Sequence, residues 1–354
     1  MRTTITAPRV VAVCARANRG AAPPYQLANS DAPARPELDG PAFFALGPRP
    51  SALGIHTTLS LDMLRIAIPN KGRLSEDARE LFNDAGLEVR ARGDRALTAS
   101  LGGEFEGLFV RAQDIPEFVA DGAADAGITG WDLIRESARA LEPLADLEFG
   151  RCRLAVAARE ESGVASLEDI PAGMRVATVF PRLAQQFFEE RGCPVEIVPV
   201  SGAAEIAPHI GIADVIVDLV STGSTLRVNG LREIATVLES TARLVVARAT
   251  LQDGTPQGRA RVRSIEELVA ALQSVLRARE KRYVMANVPR SALEAVKGVL
   301  PGINGPTVID ILNGGTHVAV HAVADARTIY RTVAELKALG AEGILVTRIE
   351  RLMA

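Results

Sequence analysis

Cysteine is scarce in this 354-residue sequence, and the three present (Cys14, Cys152 and Cys193) are scattered and odd in number. That argues against a disulfide framework and for a reducing compartment, so a cytoplasmic protein is expected. CxxC, HExxH and paired Cys/His spacings are missing, which speaks against a dedicated zinc site. No uncharged apolar run approaches the roughly 18 residues of a membrane span. Excess charge is missing too: the net charge is −3, so no global basic field suggests nucleic acid or an anionic membrane as a partner. Lysine is rare. Of 40 Lys+Arg residues only Lys71, Lys281, Lys297 and Lys337 are lysine, a bias read as GC-rich coding, and it makes a lysine inside a Gly-containing turn conspicuous. What is present, 47% hydrophobic and 23% charged residues, is ordinary globular usage and excludes disordered and collagen-like classes.

Residues 1–62 differ from all that follows. They carry much of the proline, lack sustained periodicity, and up to Asp31 contain Arg but no acid. They are read as a disordered extension, a transit-like segment, or an over-extended start ahead of Met63, and no fold is imposed on them.

From Met63 the pattern changes to strands alternating with helices. Leu64–Pro69 reads as a buried strand, followed by the turn Asn70-Lys-Gly-Arg and a helix with Ser75 as N-cap and Gly86 as stop. Further strands are expected at 108–111, 125–131, 153–158, 175–179, 195–200, 214–220 and 243–247, with helices at 115–120, 183–191, 203–210 and 265–282. Such alternation indicates doubly wound α/β lobes, with ligands at the carboxyl ends of the strands. The expected division is lobe I from 63–152 and 242–282, lobe II from 153–241, and a third unit at 283–354 whose order βαββαβ is the ferredoxin-like plan.

The most informative stretch is Asp214-Val-Ile-Val-Asp-Leu-Val-Ser-Thr-Gly-Ser-Thr-Leu. A buried strand delivers the turn Ser221, Thr222, Gly223, Ser224, Thr225. Its hydroxyls and successive N–H groups suit one phosphate, with Gly223 supplying the φ freedom. Asp214 and Asp218 share a face, and Asp218, nearer the loop, is able to accept from ribose hydroxyls. A second turn, Asn70-Lys71-Gly72-Arg73, offers a point charge and a guanidinium fork to a polyphosphate. Its spacing is not that of a Walker A loop, and alone it reads as a surface turn before a phosphate site. A third, Gly127-Ile-Thr-Gly130-Trp131, carries the single Trp where a planar ring could approach bare backbone.

Together these turns, with Gln113-Asp-Ile-Pro, Ser201-Gly-Ala-Ala-Glu205 and the ending Leu339 through Leu352, make the chain from Met63 onward resemble the long form of ATP phosphoribosyltransferase. The resemblance implies transfer of phosphoribosyl from phosphoribosyl pyrophosphate (PRPP) to N1 of the adenine of ATP, releasing pyrophosphate, as the first step of histidine biosynthesis. It implies two lobes of periplasmic-binding-protein type around a cleft, plus a ferredoxin-like regulatory domain that binds L-histidine as inhibitor. By that similarity Asp218 and Ser221, Thr222, Gly223, Ser224 and Thr225 hold PRPP. Lys71, Gly72, Arg73, Gly130, Trp131 and Glu205 face ATP, and Lys71, Arg73 and Asp218 are the catalytic candidates. Mg²⁺ is expected through phosphate oxygens, with its protein ligands open. Asn287 and Thr307 are the candidate histidine contacts. His317 and His321, four apart on one strand, read as ordinary strand histidines before a metal pair. The family also implies a homo-oligomer, dimers assembling to hexamers.

A non-catalytic two-lobe binding or sensor protein is the main alternative. Neither a secretory signal nor a helix-turn-helix pattern is evident to favour it. A phosphoribosyltransferase for another base would carry two adjacent acids before the loop, whereas here they are spaced as Asp214 and Asp218. An inactive paralogue is opposed by the presence of Lys71, Arg73, Asp218 and the whole loop.

Overall fold

Runs of buried aliphatic residues, each closed by a polar or glycine-containing turn, build three sheets. The computed structural model describes residues 63–93, 96–312 and 315–353, and the stretch 1–62 lies outside the described residues. The first sheet takes β1 (Leu64–Pro69), β2 (Val89–Ala91), β3 (Thr98–Leu101), β4 (Phe105–Val110), β5 (Ala126–Gly130) and β6 (Leu141–Asp146), with α1 (Arg73–Asp84), α2 (Ile115–Ala120) and α3 (Trp131–Ser137) between them. The chain then crosses to a second sheet of β7 (Cys152–Arg159), β8 (Arg175–Thr178), β9 (Glu196–Pro199), β10 (Val215–Val220) and β11 (Leu231–Ser240), with α4 (Pro181–Glu189) and α5 (Ser224–Val228). It returns through β12 (Ala242–Ala247), α6 (Arg248–Gln252) and α7 (Pro256–Arg279).

The strand order is β2-β3-β4-β1-β5-β12-β6 in lobe I and β11-β7-β10-β8-β9 in lobe II. In lobe I the parallel pairs are β4–β1 and β1–β5, while β12 is antiparallel to β5 and β3 to β4, so the sheet is mixed. Both faces of each sheet are covered. Ile66, Ile68, Leu81, Phe82 and Leu272 form one lobe I core under α1 and α7, and Ala67, Ile115, Val119 and Ile134 form the other. In lobe II, Phe187 of α4 packs with Val156, Val176 and Val217 of the sheet, while the opposite face is filled mainly by small side chains such as Ala155, Ala157 and Ala177.

The C-terminal sheet, β13 (Lys281–Pro289), β14 (Thr307–Asp310), β15 (His317–Asp325) and β16 (Glu342–Arg348), has the order β14-β15-β13-β16 and is antiparallel throughout. α8 (Leu293–Val299) and α9 (Ile329–Ala338) cover one face, burying Val284, Ala286, Val288, Val320 and Leu336. This is the ferredoxin-like arrangement expected from βαββαβ.

Four local expectations are corrected. Ser75 is not a cap: α1 already starts at Arg73, the N–H of Ser75 donates to O of the N-cap residue Gly72 at 2.9 Å, and Gly72 at φ 77° makes the turn. Ser75 is buried inside the first turn instead. Residues 203–210 form only a 3₁₀ turn at Ala204–Ile206 and further turns. α7 begins at Pro256, capped by the Thr255 hydroxyl accepting from Gly258 N at 3.0 Å, and it ends before β13 starts at Lys281. β2, β3, β6 and β11 lie outside the expected strands.

Candidate active site

β10 is an interior strand, parallel to β8 through Val217 and antiparallel to β7 as far as Val220, so its carboxyl end is held on the β7 side. Near that end stands Asp218. Burial pushes its carboxyl above the usual aspartate range, the Leu219 N–H donating to Oδ1 pulls it back, and the charge of Glu205 pushes it up again. The Leu219 bond is 2.7 Å long. Asp214, at the start of the same strand run, serves otherwise: Arg175 Nη2 lies 3.2 Å from its Oδ1, a strand-end ion pair.

The loop after β10 turns on Gly223, whose φ of 73° is the left-handed conformation that side chains resist. α5 starts at the next residue. Thr222 Oγ1 and Ser224 Oγ are 3.0 Å apart, and Arg227 Nη1 donates to Thr222 O at 3.4 Å. Arg153 Nη1 donates to Ser221 O at 3.4 Å and is itself held by Glu233, Nε to Oε1 at 2.7 Å. These two arginines were not singled out by sequence; in a chain whose basic residues are nearly all Arg, nothing marks them. Glu205, Asp218 and the run Leu219–Leu226 line a cavity of about 130 Å³. Glu205, grouped above with the nucleotide residues, thus shares this cavity with Asp218.

The remaining catalytic and nucleotide candidates lie on lobe I and do not line that cavity. The Asn70–Arg73 turn follows β1, tied down by Asn70 N donating to Val110 O at 2.8 Å. Arg73 is 76% exposed, with Asp77 no nearer than 3.8 Å, and Lys71 is exposed without an ion pair among the described residues. β5 lies beside β1 and runs parallel to it, so Gly130 and Trp131 emerge at the same sheet edge. A Cβ on Gly130 would lie 2.4 Å from Asp132 Oδ1, so a side chain there would have to displace the Asp132 carboxylate. Trp131 is half-buried between the guanidinium groups of Arg135 and Arg243, 5.6 and 5.3 Å from its ring centre.

Behind Trp131, where the chain crosses between lobes, Asp132 is buried and hydrogen-bonded to Ser240, with burial pushing its carboxyl up. The neighbouring Cys152 thiol is pushed up to about 11 by burial and the Asp132 charge, which leaves it a poor nucleophile. No group of three or more His, Cys, Asp or Glu side chains among the described residues is arranged to hold a metal ion.

In the C-terminal sheet Asn287 and Thr307 are both exposed. Asn287 alternates with the buried Ala286 and Val288, and Thr307 pairs with His321, itself opposite Met285, so both lie on the face without helices. His321 Nδ1 meets Tyr283 OH at 2.9 Å, and His317 Nδ1 meets Thr316 Oγ1 at 3.2 Å; both imidazoles have ordinary hydroxyl partners.

Residues 111–274 match the family described as ATP phosphoribosyltransferase, and residues 278–351 match HisG, C-terminal domain. The ATP phosphoribosyltransferase of Gemmatimonas aurantiaca is 68% identical over 294 residues, covering 82% of this chain and 100% of that protein. That of Natronomonas pharaonis is 50% identical over 291 residues with the same coverages. Among solved structures, the ATP phosphoribosyl transferase (HisG:HisZ) complex from Thermotoga maritima is similar with a TM-score of 0.51 at 28% identity, matching 99% of that chain and 60% of this one.

Proposed function

Because the chain belongs to the ATP phosphoribosyltransferase family, in the long form that carries the HisG C-terminal domain, we propose that its two lobes divide the substrates between them. The reaction itself is the first step of histidine biosynthesis, transfer of phosphoribosyl from PRPP to ATP. In this reading Asp218 accepts from the ribose hydroxyls of PRPP, and Ser221 through Thr225 surround its 5′-phosphate. Lys71, Gly72 and Arg73, with Gly130 and Trp131, meet ATP from the facing lobe. The observation that carries it is the cavity shared by Glu205, Asp218 and the whole loop.

The chemistry asks for little covalent help. Displacement at the anomeric carbon passes through a cation-like transition state, with adenine N1 attacking and pyrophosphate leaving. Holding two polyanions in line and neutralising the leaving group supplies most of the acceleration. Lys71, without an ion pair among the described residues, and Arg73, whose one partner Asp77 stands 3.8 Å away with the guanidinium 76% exposed, can meet phosphate charge. A proton donor for the leaving group is not required, since pyrophosphate departs as an anion. The donor set also fits Mg²⁺, which favours substrate phosphates plus one or two carboxylates over an all-protein cage. Glu205 and Asp218, the carboxylates beside the loop, would help hold the ion together with substrate phosphates, where it would supply charge neutralisation.

The C-terminal domain in this reading binds L-histidine and lowers activity, with Asn287 and Thr307 on its open face as candidate contacts. The same face exposes Ile309 and Leu345, which supports burial against further copies of the chain in a homo-oligomer. Pyrophosphate release by the full chain tests the reading. It is expected to need ATP, PRPP and Mg²⁺ together and to fall on adding histidine. Release without PRPP, or none from a folded protein, would contradict it.

A further inference from the structure

α4 opens without a cap of its own. Phe180 at the N-cap provides no side-chain hydrogen bond, and Pro181 fills the first helical position. The next two N–H groups, of Arg182 and Leu183, both donate to the Glu136 carboxylate, at 2.9 Å to Oε1 and 2.9 Å to Oε2. Glu136 belongs to α3, which follows the lobe I strand β5, whereas α4 belongs to lobe II. A helix of one lobe is therefore capped by a carboxylate from an element of the other. A charged acceptor receiving two N–H groups at the positive end of a helix is a strong form of this interaction.

The other end of α3 is fastened as well. Asp132 N donates to Ser240 Oγ at 3.1 Å, the Ser240 hydroxyl donates to Asp132 Oδ1, and Trp131 N donates to Thr241 O at 2.9 Å. Ser240 and Thr241 form the return crossover from lobe II. Between these ends Leu133 packs against the lobe II core and Ile134 sits in the lobe I core. α3 thus straddles the boundary, carrying Trp131 at its start and Glu136 a little more than one turn later.

We propose that Glu136 is a positioning residue for phosphoribosyl transfer: by tying α3 to α4 it fixes the Gly130–Trp131 turn relative to the Ser221–Thr225 loop. The inference rests on the reading that the turn meets ATP and the loop meets PRPP. Reacting atoms must be held roughly 3–3.5 Å apart, and a misplacement of about 1 Å costs on the order of 100-fold in rate. Loosening the tie therefore acts on the reaction between the two bound substrates and leaves PRPP binding, which lies within lobe II, intact.

Glu136→Gln in the full chain tests this. It keeps the length but turns an amide donor toward one of the two N–H groups. The expected result is a kcat lowered about tenfold or more and weaker ATP binding, with the PRPP affinity measured calorimetrically in Mg²⁺ within about twofold of wild type. Trp131 is the only tryptophan in the sequence, so its emission reports the turn directly, and its response to ATP is expected to shift to higher concentrations in the variant. A folded Glu136→Gln with wild-type kcat overturns the proposal. So does a loss of PRPP affinity in proportion to kcat, which would mark a merely structural role. If Glu136→Gln does not fold, Glu136→Asp keeps the charge on a shorter reach and is expected to show the same kcat-selective loss. A wild-type emission indifferent to ATP would overturn the placement of Trp131, and the kinetic comparison would still decide the role of Glu136.

Discussion

The Ser221–Thr225 loop and the Asn70–Arg73 turn both follow a buried strand, yet they are built on opposite principles. The loop is held from several sides: Gly223 in its left-handed conformation, Arg227 on Thr222 O, and Arg153 on Ser221 O with Glu233 behind it. With Glu205 and Asp218 it lines a cavity of about 130 Å³. The turn has a fixed backbone but places its two cations in solvent, with Arg73 76% exposed. Preorganised donors cost nothing further to aim, whereas free side chains lose rotamer freedom on binding. On the proposed division of substrates, the loop would supply selectivity and the turn charge neutralisation.

Variants of the two elements are expected to separate along that line. Asp218→Ala should have the largest effect, lowering kcat/KM for PRPP by about 100-fold or more with the thermal transition nearly unchanged, read by steady-state kinetics beside circular dichroism. Next comes Gly223→Ala. The left-handed conformation costs a side chain about 1–2 kcal/mol, and the new Cβ would lie 3.3 Å from Arg227 Nη1. The KM for PRPP should rise about tenfold, with little change for ATP. Lys71→Ala should reverse that selectivity, raising the KM for ATP by about tenfold, the scale of one charge-assisted hydrogen bond. Because Lys71 is exposed, its advantage should shrink as salt is added, while the effect of Asp218→Ala should not.

The smallest effect is on pH. A carboxyl whose folded pKa is raised, as at Asp218, binds protons more readily in the folded than in the unfolded state. Its contribution to stability therefore improves as pH falls through the folded pKa toward the ordinary aspartate value. Activity moves the other way, since protonation removes a ribose acceptor. The acid limb of kcat/KM for PRPP should lie above the usual aspartate range and vanish in Asp218→Asn, while that variant loses the acid-side gain in stability. An acid limb unchanged by the substitution would assign the titration to another group.

The loop was legible because its chemistry lies in one local run: a buried strand, hydroxyls and a glycine. The same locality explains why β1, β7, β8 and β10 were readable as buried aliphatic segments. β11 was not, because two register shifts, at Glu233/Ala235 and Thr236/Leu238, break its alternation and only its two end residues are buried. β6 contains Pro143 and is largely half-buried, so it has no clear period either. The start of α7 carried a signal in Thr255-Pro256, a hydroxyl cap followed by proline, but the Arg-rich turn after it hides the apolar stripe. Asp214 looked like a second site acid and is a strand-end partner of Arg175, a pairing set by the neighbouring strand. Glu136 could not be read at all, since the N–H groups it caps are 46 and 47 residues away.

Calorimetric titration of wild type, Asp218→Ala and Lys71→Ala with PRPP in Mg²⁺ tests the division between the lobes most directly. Loss of binding in Asp218→Ala with near-wild-type affinity in Lys71→Ala is the expected result. Equal losses, or retained binding in Asp218→Ala, would contradict it.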